Sequence, residues 1–413
     1  MFFRGAYLAQ NVGRTELESP AIYSSRAREI NPFESTLRES SPSMSKSSLC
    51  NFCRGSLSKL DQYEKFCLVS SDCRPLQHQS SIGICQDCGL LQRVQTKKWV
   101  EACQAIYESY CAYPQGSHTE QKVTVSGNAT LKSRSRELIH NIETRCEIRD
   151  KSVWLDVGCG QAHLLGLASQ HFPNLSFVGL DRAEVSRFFV EAIDRATFVL
   201  DLEDLDVCPG IVSMIHVLEH IEEPMHFLEE VRRIMDRNTR LVIQVPTFAR
   251  NPMDLLIYDH GTFFTEETLN CVVRSAGFEV QCLEYVAGGK ELLLVARKTD
   301  DYGAMQSIAK KKFDKLRQDA EIALEYLSRI REHAQEVSES RTVQVFGSAI
   351  GATWIYNELG AEKIECFLDE DLDRIGHNFL GKEIRSAKEI DPARTVFPLD
   401  PNLRIRIQSR LDQ

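Results

Sequence analysis

Four cysteines in two short pairs have the spacing of a metal site. Cys50 and Cys53 form one Cys-x-x-Cys pair, and Cys85 and Cys88 form a second one, with 31 residues between the pairs. Four thiolates on two tight turns make a closed tetrahedral zinc site, which stabilises a segment too small for a full core. A redox pair is the rival interpretation, but two matched pairs favour structural zinc. Two cysteines between the pairs are alternative ligands: Cys67 and Cys73.

A glycine-rich turn after an apolar strand indicates a nucleotide-type ligand. In WLDVGCGQA the strand runs into Asp156, Gly158, Cys159 and Gly160, and the glycines let the backbone approach a ligand closely. A second strand ends at Asp181, where a carboxylate accepts both hydroxyls of a ribose. The turn lacks the third glycine of a dinucleotide site, so an adenosine ligand is favoured. Later strand ends supply the other cofactor candidates: Asp201 and Leu202 for the adenine edge, and His216 as a structural or ligand-lining residue.

Strands that alternate with helices must position these residues. From Ser133 to about residue 298, apolar strands such as SFVGLD and RLVIQV alternate with helical segments such as HFLEEVRRIM. This alternation predicts a parallel sheet flanked by helices, a Rossmann-like, doubly wound α/β fold. FEVQCLEYV and ELLLVARK, joined at Gly288 and Gly289, are predicted to close it with an antiparallel edge.

The ordered set of motifs resembles class I S-adenosylmethionine-dependent methyltransferases. DVGCGQA resembles their first motif, Asp181 their ribose acid, and HVLEHIEEP the segment after their fourth strand. The resemblance implies S-adenosylmethionine as the cofactor of a methyltransferase core at residues 129–299. Cys159 needs no catalytic role, because its small size explains its place in the turn.

A wider resemblance covers residues 50–413. The cysteine pairs, CQDCGLLQ, YESYCAY, the core and FGSAIG follow one another as in bacterial sugar C-methyltransferases, which act on nucleotide-linked keto-deoxysugars. In that family the N-terminal module helps to close over the substrate, and the last domain packs beside it. Three aromatic residues are expected in the core or in a lid: Tyr107, Tyr110 and Tyr113.

The same resemblance suggests the catalytic residues. Methylation of a carbon next to a ketone needs a base for the α-proton and a partner for the enolate. The family carries Tyr-Glu-His after its fifth strand, and Tyr258, Asp259 and His260 stand at the matching place; His220 matches a histidine after strand four. We expect His260 to be the base and Tyr258 and His220 to polarise or shuttle protons. The shorter Asp259 departs from the family's glutamate and leaves its role open, and a histidine that only shapes the pocket is the alternative.

The flanking segments complete the expected domain order. Residues 1–48 are predicted to be a poorly ordered tail, 49–128 the zinc-binding module, and 300–340 one long amphipathic helix. Residues 341–413 are expected to form a smaller, incomplete Rossmann-like domain. Its Gly347 and Gly351 have G-x-x-x-G spacing before Asp369, which favours a degenerate fold for packing and part of the substrate site over a second nucleotide site.

Composition limits the partners. The 43% hydrophobic and 26% charged residues are ordinary for a folded chain, and 413 residues suggest several domains. A net charge of -10 argues against nucleic acid, and neither a membrane span nor a signal peptide is recognisable. We therefore expect a cytoplasmic monomer or homodimer whose partner is a small molecule.

These patterns favour zinc-containing C-methylation of a nucleotide-linked keto sugar. O- or N-methylation of another small molecule is the first alternative, because a histidine serves equally well as base for a hydroxyl. A catalytically silent scaffold with the same fold is the second.

Overall fold

Three parts follow one another along the chain: a cysteine-containing module, a seven-stranded core and a smaller α/β domain. The computed structural model describes residues 49–108, 110, 122–124, 131–301 and 309–411. The predicted tail lies outside these residues, as do Tyr113 and most of the segment before the core.

The first part is a small antiparallel sheet followed by a helix. β1 pairs with β4 and β4 with β5, and a short core strand, Thr262–Phe263, pairs with β5 to extend the sheet. The strands and the helix have these bounds: β1 (Leu57–Lys59), β2 (Leu68–Val69), β3 (Pro75–Leu76), β4 (Ile82–Cys85), β5 (Leu91–Arg93) and α1 (Lys97–Glu108).

The core has the strand order β10-β9-β8-β11-β12-β15-β14. Its first five strands are parallel, and β15 runs antiparallel to β12 and β14. A hairpin and α2 precede it: β6 (Lys122–Thr124), β7 (Leu131–Ser133) and α2 (Arg134–Arg145). The core elements are β8 (Val153–Val157), α3 (His163–His171), β9 (Ser176–Leu180), α4 (Ser186–Glu191), β10 (Ala196–Val199), β11 (Ile211–Ile215), α5 (Pro224–Ile234), β12 (Arg240–Pro246), β13 (Thr262–Phe263), α6 (Glu266–Ser275), β14 (Phe278–Val286) and β15 (Glu291–Lys298).

Local sequence explains these elements. The largely apolar run VWLDV suits a strand buried on both faces, as β8 is from Trp154 to Val157. α5 begins with Pro224, whose fixed φ favours the first turn. Thr265 caps α6 by accepting a hydrogen bond from the Thr268 N–H, and Gly288 and Gly289 take positive φ between β14 and β15. The predicted doubly wound α/β fold is confirmed.

A long helix leads into the third part. α7 (Lys310–Ser340) buries one face along its length, at the spacing that its sequence predicts. The following sheet has the order β18-β19-β17-β16-β20, with β18 antiparallel at one edge. Its elements are β16 (Val343–Phe346), α8 (Ile350–Leu359), β17 (Ile364–Asp369), β18 (Asn378–Phe379), β19 (Lys382–Ser386), β20 (Thr395–Val396) and α9 (Pro401–Leu411).

One hydrophobic cluster joins parts that are distant in sequence. It contains Tyr63 of the first part, Leu255 of the core, Leu327 of α7 and Trp354 of α8, each at most 1% exposed. The described residues accordingly belong to one compact unit.

Several single-turn helices complete the described chain: Asp61–Lys65, Leu202–Asp204, Leu218–His220, Pro252–Leu256, Ala287–Gly289, Ala361–Lys363 and Ala387–Glu389. Among the helices described, none combines the length and the apolar character needed to cross a bilayer.

Candidate active site

The glycine-rich turn lies at the carboxyl end of β8. Gly158 and Gly160 have φ of +69° and +50°, a region that side chains rarely enter. A Cβ on Gly158 would meet the Val217 Cγ2 at 2.5 Å, whereas a Cβ on Gly160 would have no atom within 4 Å. The turn is therefore packed against the protein at one glycine and open at the other, as close approach of a ligand requires.

Two carboxylates of the predicted cofactor site lie near this turn and have different hydrogen-bond partners. Asp156 is buried and accepts a 2.6 Å hydrogen bond from Ser213. Burial raises the pKa of Asp156 to about 7, against the opposing effect of Ser213. Asp181 accepts from the Gly160 N–H at 2.8 Å through one oxygen and from the Ala183 N–H through the other.

Asp201 and Leu202 lie at the end of β10, one strand further from β8. The Asp201 side chain accepts from the Glu203 N–H at 3.3 Å and caps the short turn that contains the buried Leu202. Neither lines the cleft described below, so their contact with an adenine edge stays a prediction.

His216 belongs to a charged network that the sequence did not reveal. Its φ is +55°, and its two ring nitrogens lie 3.1 Å from Glu219 and 3.2 Å from Glu291. Arg134 donates to the other oxygen of Glu291 at 2.8 Å. Burial opposes protonation, but Glu291 raises the pKa of His216 to about 9. Arg134, His216 and Glu291 all face the cleft.

His260 and His220 form two neighbouring histidine–aspartate pairs. The Nδ1 of His260 lies 2.6 Å from Asp254 Oδ1. The Nδ1 of His220 lies 3.4 Å from Asp259 Oδ2 and 3.0 Å from the hydroxyl of Tyr107. Both histidines line the cleft, and within the described residues neither Nε2 has a hydrogen bond to the protein.

The two imidazoles have opposite pKa shifts. Burial, together with the charge of His220, lowers the pKa of His260 to about 3. Burial also opposes protonation of His220, but Asp259 outweighs it and raises the pKa of His220. Burial, then the charge of Glu219, raises the pKa of Asp254 well above its usual value. These directions favour a cationic His220 beside an uncharged His260.

The protonation of Asp254 decides what His260 can do. When Asp254 is ionised, the Nδ1–H of His260 donates to it and Nε2 is a free acceptor. When Asp254 is protonated, it donates to Nδ1 and the Nε2–H becomes a donor. The pair can therefore take a proton from a ligand in the first state and return it from the second.

Tyr258 does not line the cleft. Its side chain is 2% exposed, and its ring lies 5.5 Å from the Arg93 guanidinium and 5.2 Å from the His78 ring. Asp259 is fully buried, accepts from the Ser71 backbone and side chain, and pairs with His220. Asp259 therefore meets the cleft only through His220, and the predicted shuttle role of Tyr258 stays a prediction.

The N-terminal part holds the loop that carries His260. Arg93 of β5, which is fully buried, donates to the carbonyls of His260 at 3.0 Å and Ile257 at 2.8 Å. Trp99 of α1 donates to the Tyr258 carbonyl at 2.8 Å. The position of the predicted base is thus set by residues outside the core.

One cleft of about 420 Å³ joins these groups. Its wall runs from the glycine turn past His216, His220 and His260 to Ile350 and Arg374 of the third part. Tyr110 also lines it, while the partly buried Tyr107 reaches it through His220. The glycine turn and the C-terminal domain therefore border the same space.

Of the two C-terminal glycines, Gly351 lies at a close packing contact. A Cβ on Gly351 would lie 2.1 Å from the Pro398 carbonyl oxygen, so this glycine lets α8 approach the chain closely. Gly347 has a φ of +91°. Asp369 accepts a 2.6 Å hydrogen bond from Ser348 and lies 3.6 Å from Arg374, so its carboxylate is engaged within the domain.

The four predicted cysteine ligands come together at one point. The Sγ atoms of Cys50 and Cys88 are 3.7 Å apart, and those of Cys53 and Cys85 are 3.3 Å apart. Thiolates around a tetrahedral zinc, with bonds of about 2.3 Å, lie about 3.8 Å from one another. The Gly55 N–H donates to Cys53. The donor set fits zinc, and the alternative ligands, Cys67 and Cys73, are not part of it.

Comparison with known proteins identifies the core. Residues 130–283 match the family model described as a methyltransferase domain. Together with the glycine turn and the strand order above, this match identifies the core as a methyltransferase domain with the class I fold. No curated protein matches the chain significantly.

Solved structures give weaker similarities. CalO1, a methyltransferase in calicheamicin biosynthesis, in its S-adenosylhomocysteine-bound form, is 19% identical over 38% of this chain and 52% of its own, with a TM-score of 0.33. RosA from Streptomyces davawensis, N,N-8-amino-8-demethyl-D-riboflavin dimethyltransferase, is 20% identical over 36% and 50%, with a TM-score of 0.32. A SAM dependent methyltransferase from Aquifex aeolicus is 14% identical over 40% and 90%, with a TM-score of 0.35. The chain thus spans about half the length of CalO1 and RosA.

Proposed function

We propose that this methyltransferase adds a methyl group to the carbon next to the ketone of a nucleotide-linked keto-deoxysugar. The observation that carries the proposal is that one cleft joins the glycine turn, the His220–His260 pair and residues of the C-terminal domain. A nucleotide-linked sugar has two ends, and this cleft offers a separate wall for each. The sugar resemblance of the flanking motifs supports the same substrate class.

S-Adenosylmethionine supplies an electrophilic methyl group and leaves as S-adenosylhomocysteine. The turn at Gly158 and Gly160 would hold it, with Asp156 and Asp181 nearby. The open space at Gly160 fits such a ligand, because nothing there would meet a Cβ.

The chain's own groups then move one proton. His260 Nε2 takes the α-proton from the sugar carbon while its Nδ1 stays on Asp254, 2.6 Å away. The electrons of the broken C–H bond form the enolate, whose oxygen is stabilised by the cationic His220. The carbon then forms its bond to the methyl group as the methyl–sulfur bond breaks, and the ketone is regenerated.

The substrate is tested by offering nucleotide-linked keto sugars with a labelled methyl donor. We expect the label on carbon, and solvent hydrogen exchange at that carbon that is lost in His260→Ala. His171→Ala, a change at a half-exposed helix residue, is the matched histidine control. Label on oxygen or nitrogen would assign the protein to the alternative reaction, and full exchange in His260→Ala would remove its base.

Zinc at Cys50, Cys53, Cys85 and Cys88 is part of the same proposal. We assign it a structural role, because four thiolates leave no open position for substrate. The ion would fix the two cysteine pairs beside β5, whose Arg93 positions the His260 loop.

A catalytically silent scaffold would be indicated by failure to bind S-adenosylhomocysteine in calorimetry.

A further inference from the structure

A second group of metal-type ligands lies at the wall of the cleft, where two of its three members line the space. Glu219, His220 and His260 offer ligand atoms that all lie within 4.8 Å of one another. The first two belong to the turn after β11, and the third precedes β13. The Gly261 N–H donates to the Glu219 carbonyl at 2.8 Å, which fixes the two segments side by side. The convergence is therefore held by the backbone as well as by side chains.

Both imidazoles are oriented as metal-binding histidines usually are. A ligating histidine commonly gives its second ring nitrogen to a carboxylate, which fixes the ring and its tautomer. Here Asp254 holds the Nδ1 of His260 at 2.6 Å, and Asp259 lies 3.4 Å from the Nδ1 of His220. Each ring thus keeps Nε2 for a further partner, and both rings line the cleft.

The buried carboxylate of Glu219 gives an independent indication of a ligand. Glu219 is 0% exposed. One of its oxygens lies 3.1 Å from His216 Nδ1, whereas Oε2 is buried without a hydrogen-bond partner in the described structure. A buried, unpartnered carboxylate oxygen is costly. A cation bound between it and the two imidazoles would remove that cost.

We propose that Glu219, His220 and His260 bind a borderline divalent cation such as Zn²⁺ or Co²⁺. Two imidazole nitrogens and one carboxylate oxygen suit such ions, and positions left open would face the cleft. Binding requires the ligand atoms to contract to a spacing of about 3.3 Å, set by metal–ligand bonds of about 2.0–2.1 Å. The ion would occupy the Nε2 lone pair that abstracts the α-proton, so it inhibits C-methylation instead of assisting it.

Cobalt titration of the zinc-loaded full chain tests this site without any acceptor substrate. We expect about one equivalent of Co²⁺ to bind in addition to the retained zinc, with visible absorption bands that lack thiolate character. Glu219→Gln and His260→Ala should each weaken this binding at least tenfold. Asp254→Asn, which removes an orienting carboxylate, should weaken it by about 10–100-fold. His171→Ala is the matched control and should bind cobalt unchanged.

Correct folding of each variant is checked by its affinity for S-adenosylhomocysteine. No cobalt binding beyond the cysteine site would overturn the proposal, and so would equal cobalt affinity in folded Glu219→Gln, His260→Ala and Asp254→Asn. The proposed sugar chemistry is judged by methyl transfer and the ion site by cobalt affinity, so each can fail without the other.

Discussion

His220 and His260 meet edge to face, with their ring centroids 4.6 Å apart, and each gives its Nδ1 to a different aspartate. Separate carboxylate partners let two adjacent imidazoles keep unlike protonation states. Groups whose surroundings push their pKa values apart are suited to be acid and base in one site. This relationship explains how the cleft can both remove a proton and stabilise the negative charge that results.

Asp254→Asn should separate the orientation of His260 from its presence. Without the carboxylate, Nδ1–H loses its anionic acceptor, and we expect α-carbon exchange to fall on the order of 10²–10⁴-fold. The ring ¹⁵N shifts of His260 report the change of tautomer, while S-adenosylhomocysteine affinity should stay unchanged. An Asp254→Asn enzyme with the original tautomer and full exchange rate would rule out this positioning role.

Two tyrosine variants compare the hydroxyl next to His220 with that of a tyrosine that does not line the cleft. Tyr107→Phe removes the hydroxyl that lies 3.0 Å from His220 Nδ1, so exchange should slow. Tyr258→Phe keeps the ring that packs against Arg93 and removes only its hydroxyl. Hydrogen exchange at the α-carbon should therefore be largely kept, with a stability change below about 1 kcal/mol. Exchange rates and urea unfolding measure both effects. Loss of α-carbon exchange in Tyr258→Phe alone would support the predicted shuttle role of Tyr258.

Alanine at the two turn glycines should have different effects. Gly158→Ala places a Cβ 2.5 Å from Val217 Cγ2 in a left-handed conformation, so the fold itself is destabilised, by about 1–2 kcal/mol from φ alone. Gly160→Ala meets no protein atom, so it should lose cofactor affinity beyond what its φ strain explains. Thermal melts and S-adenosylhomocysteine calorimetry separate the two effects. Unaltered cofactor affinity in Gly160→Ala would place the ligand elsewhere.

The cysteine cluster should contain about one zinc per chain, as four thiolate ligands require. Cys88→Ser removes one ligand of the four and should release the metal and lower the melting temperature. An ion present at 1,000 times its Kd contributes about 4 kcal/mol. Cys67→Ser is the matched control, because Cys67 lies outside the cluster. Elemental analysis showing folded, zinc-free wild-type protein would contradict the assignment.

Acid should weaken the fold partly through Glu291. Burial alone would raise the pKa of Glu291, but Arg134 and His216 outweigh it and hold this pKa below its ordinary value of 4.5. The unfolded chain therefore takes up this proton first, and the stabilisation, complete above the ordinary value, is lost as the pH falls below it. Lys290 also favours the charged form.

Glu291→Gln deprives the partly buried Arg134 and His216 of the carboxylate that they share. It should cost about 3–5 kcal/mol near neutral pH and flatten the acid limb of the unfolding free energy. Urea unfolding at about pH 7 and about pH 4 measures both quantities. An acid limb as steep as that of the wild type would show that other carboxylates account for it.

Local patterns predicted much of the site. The cysteine pairs and the turn at Gly158 and Gly160 follow from motif and spacing, whereas the two histidines follow from the family resemblance. The structure brings Cys50 close to Cys88 and His220 close to His260. The parallel sheet of the core and its antiparallel edge also follow from its alternating apolar segments and glycine turns.

The partners of these residues could not be predicted in the same way. Asp254 lies among apolar residues in PMDLLI and Glu219 among apolar residues and histidines in HVLEHI, and they matter only because two short turns fold against each other. Tyr258 faces away from the cleft because Val69 accepts its backbone N–H at 2.7 Å and Arg93 packs on its ring. Val69 and Arg93 belong to the N-terminal part and are distant from Tyr258 in sequence. The spacing of apolar residues predicts only local structure, so it could not indicate these contacts.

The shared hydrophobic cluster has a consequence for synthesis of the chain. Tyr63 donates to the carbonyl of Leu255, 192 residues later, and the Cys67 N–H donates to Glu358, 291 residues later. Contacts of such long range form slowly and only after both ends exist. During translation the apolar face of the N-terminal sheet therefore stays uncovered until α7 and α8 have left the ribosome. A prematurely terminated chain would expose the same face, which makes truncated products of this protein natural clients of chaperones and proteases.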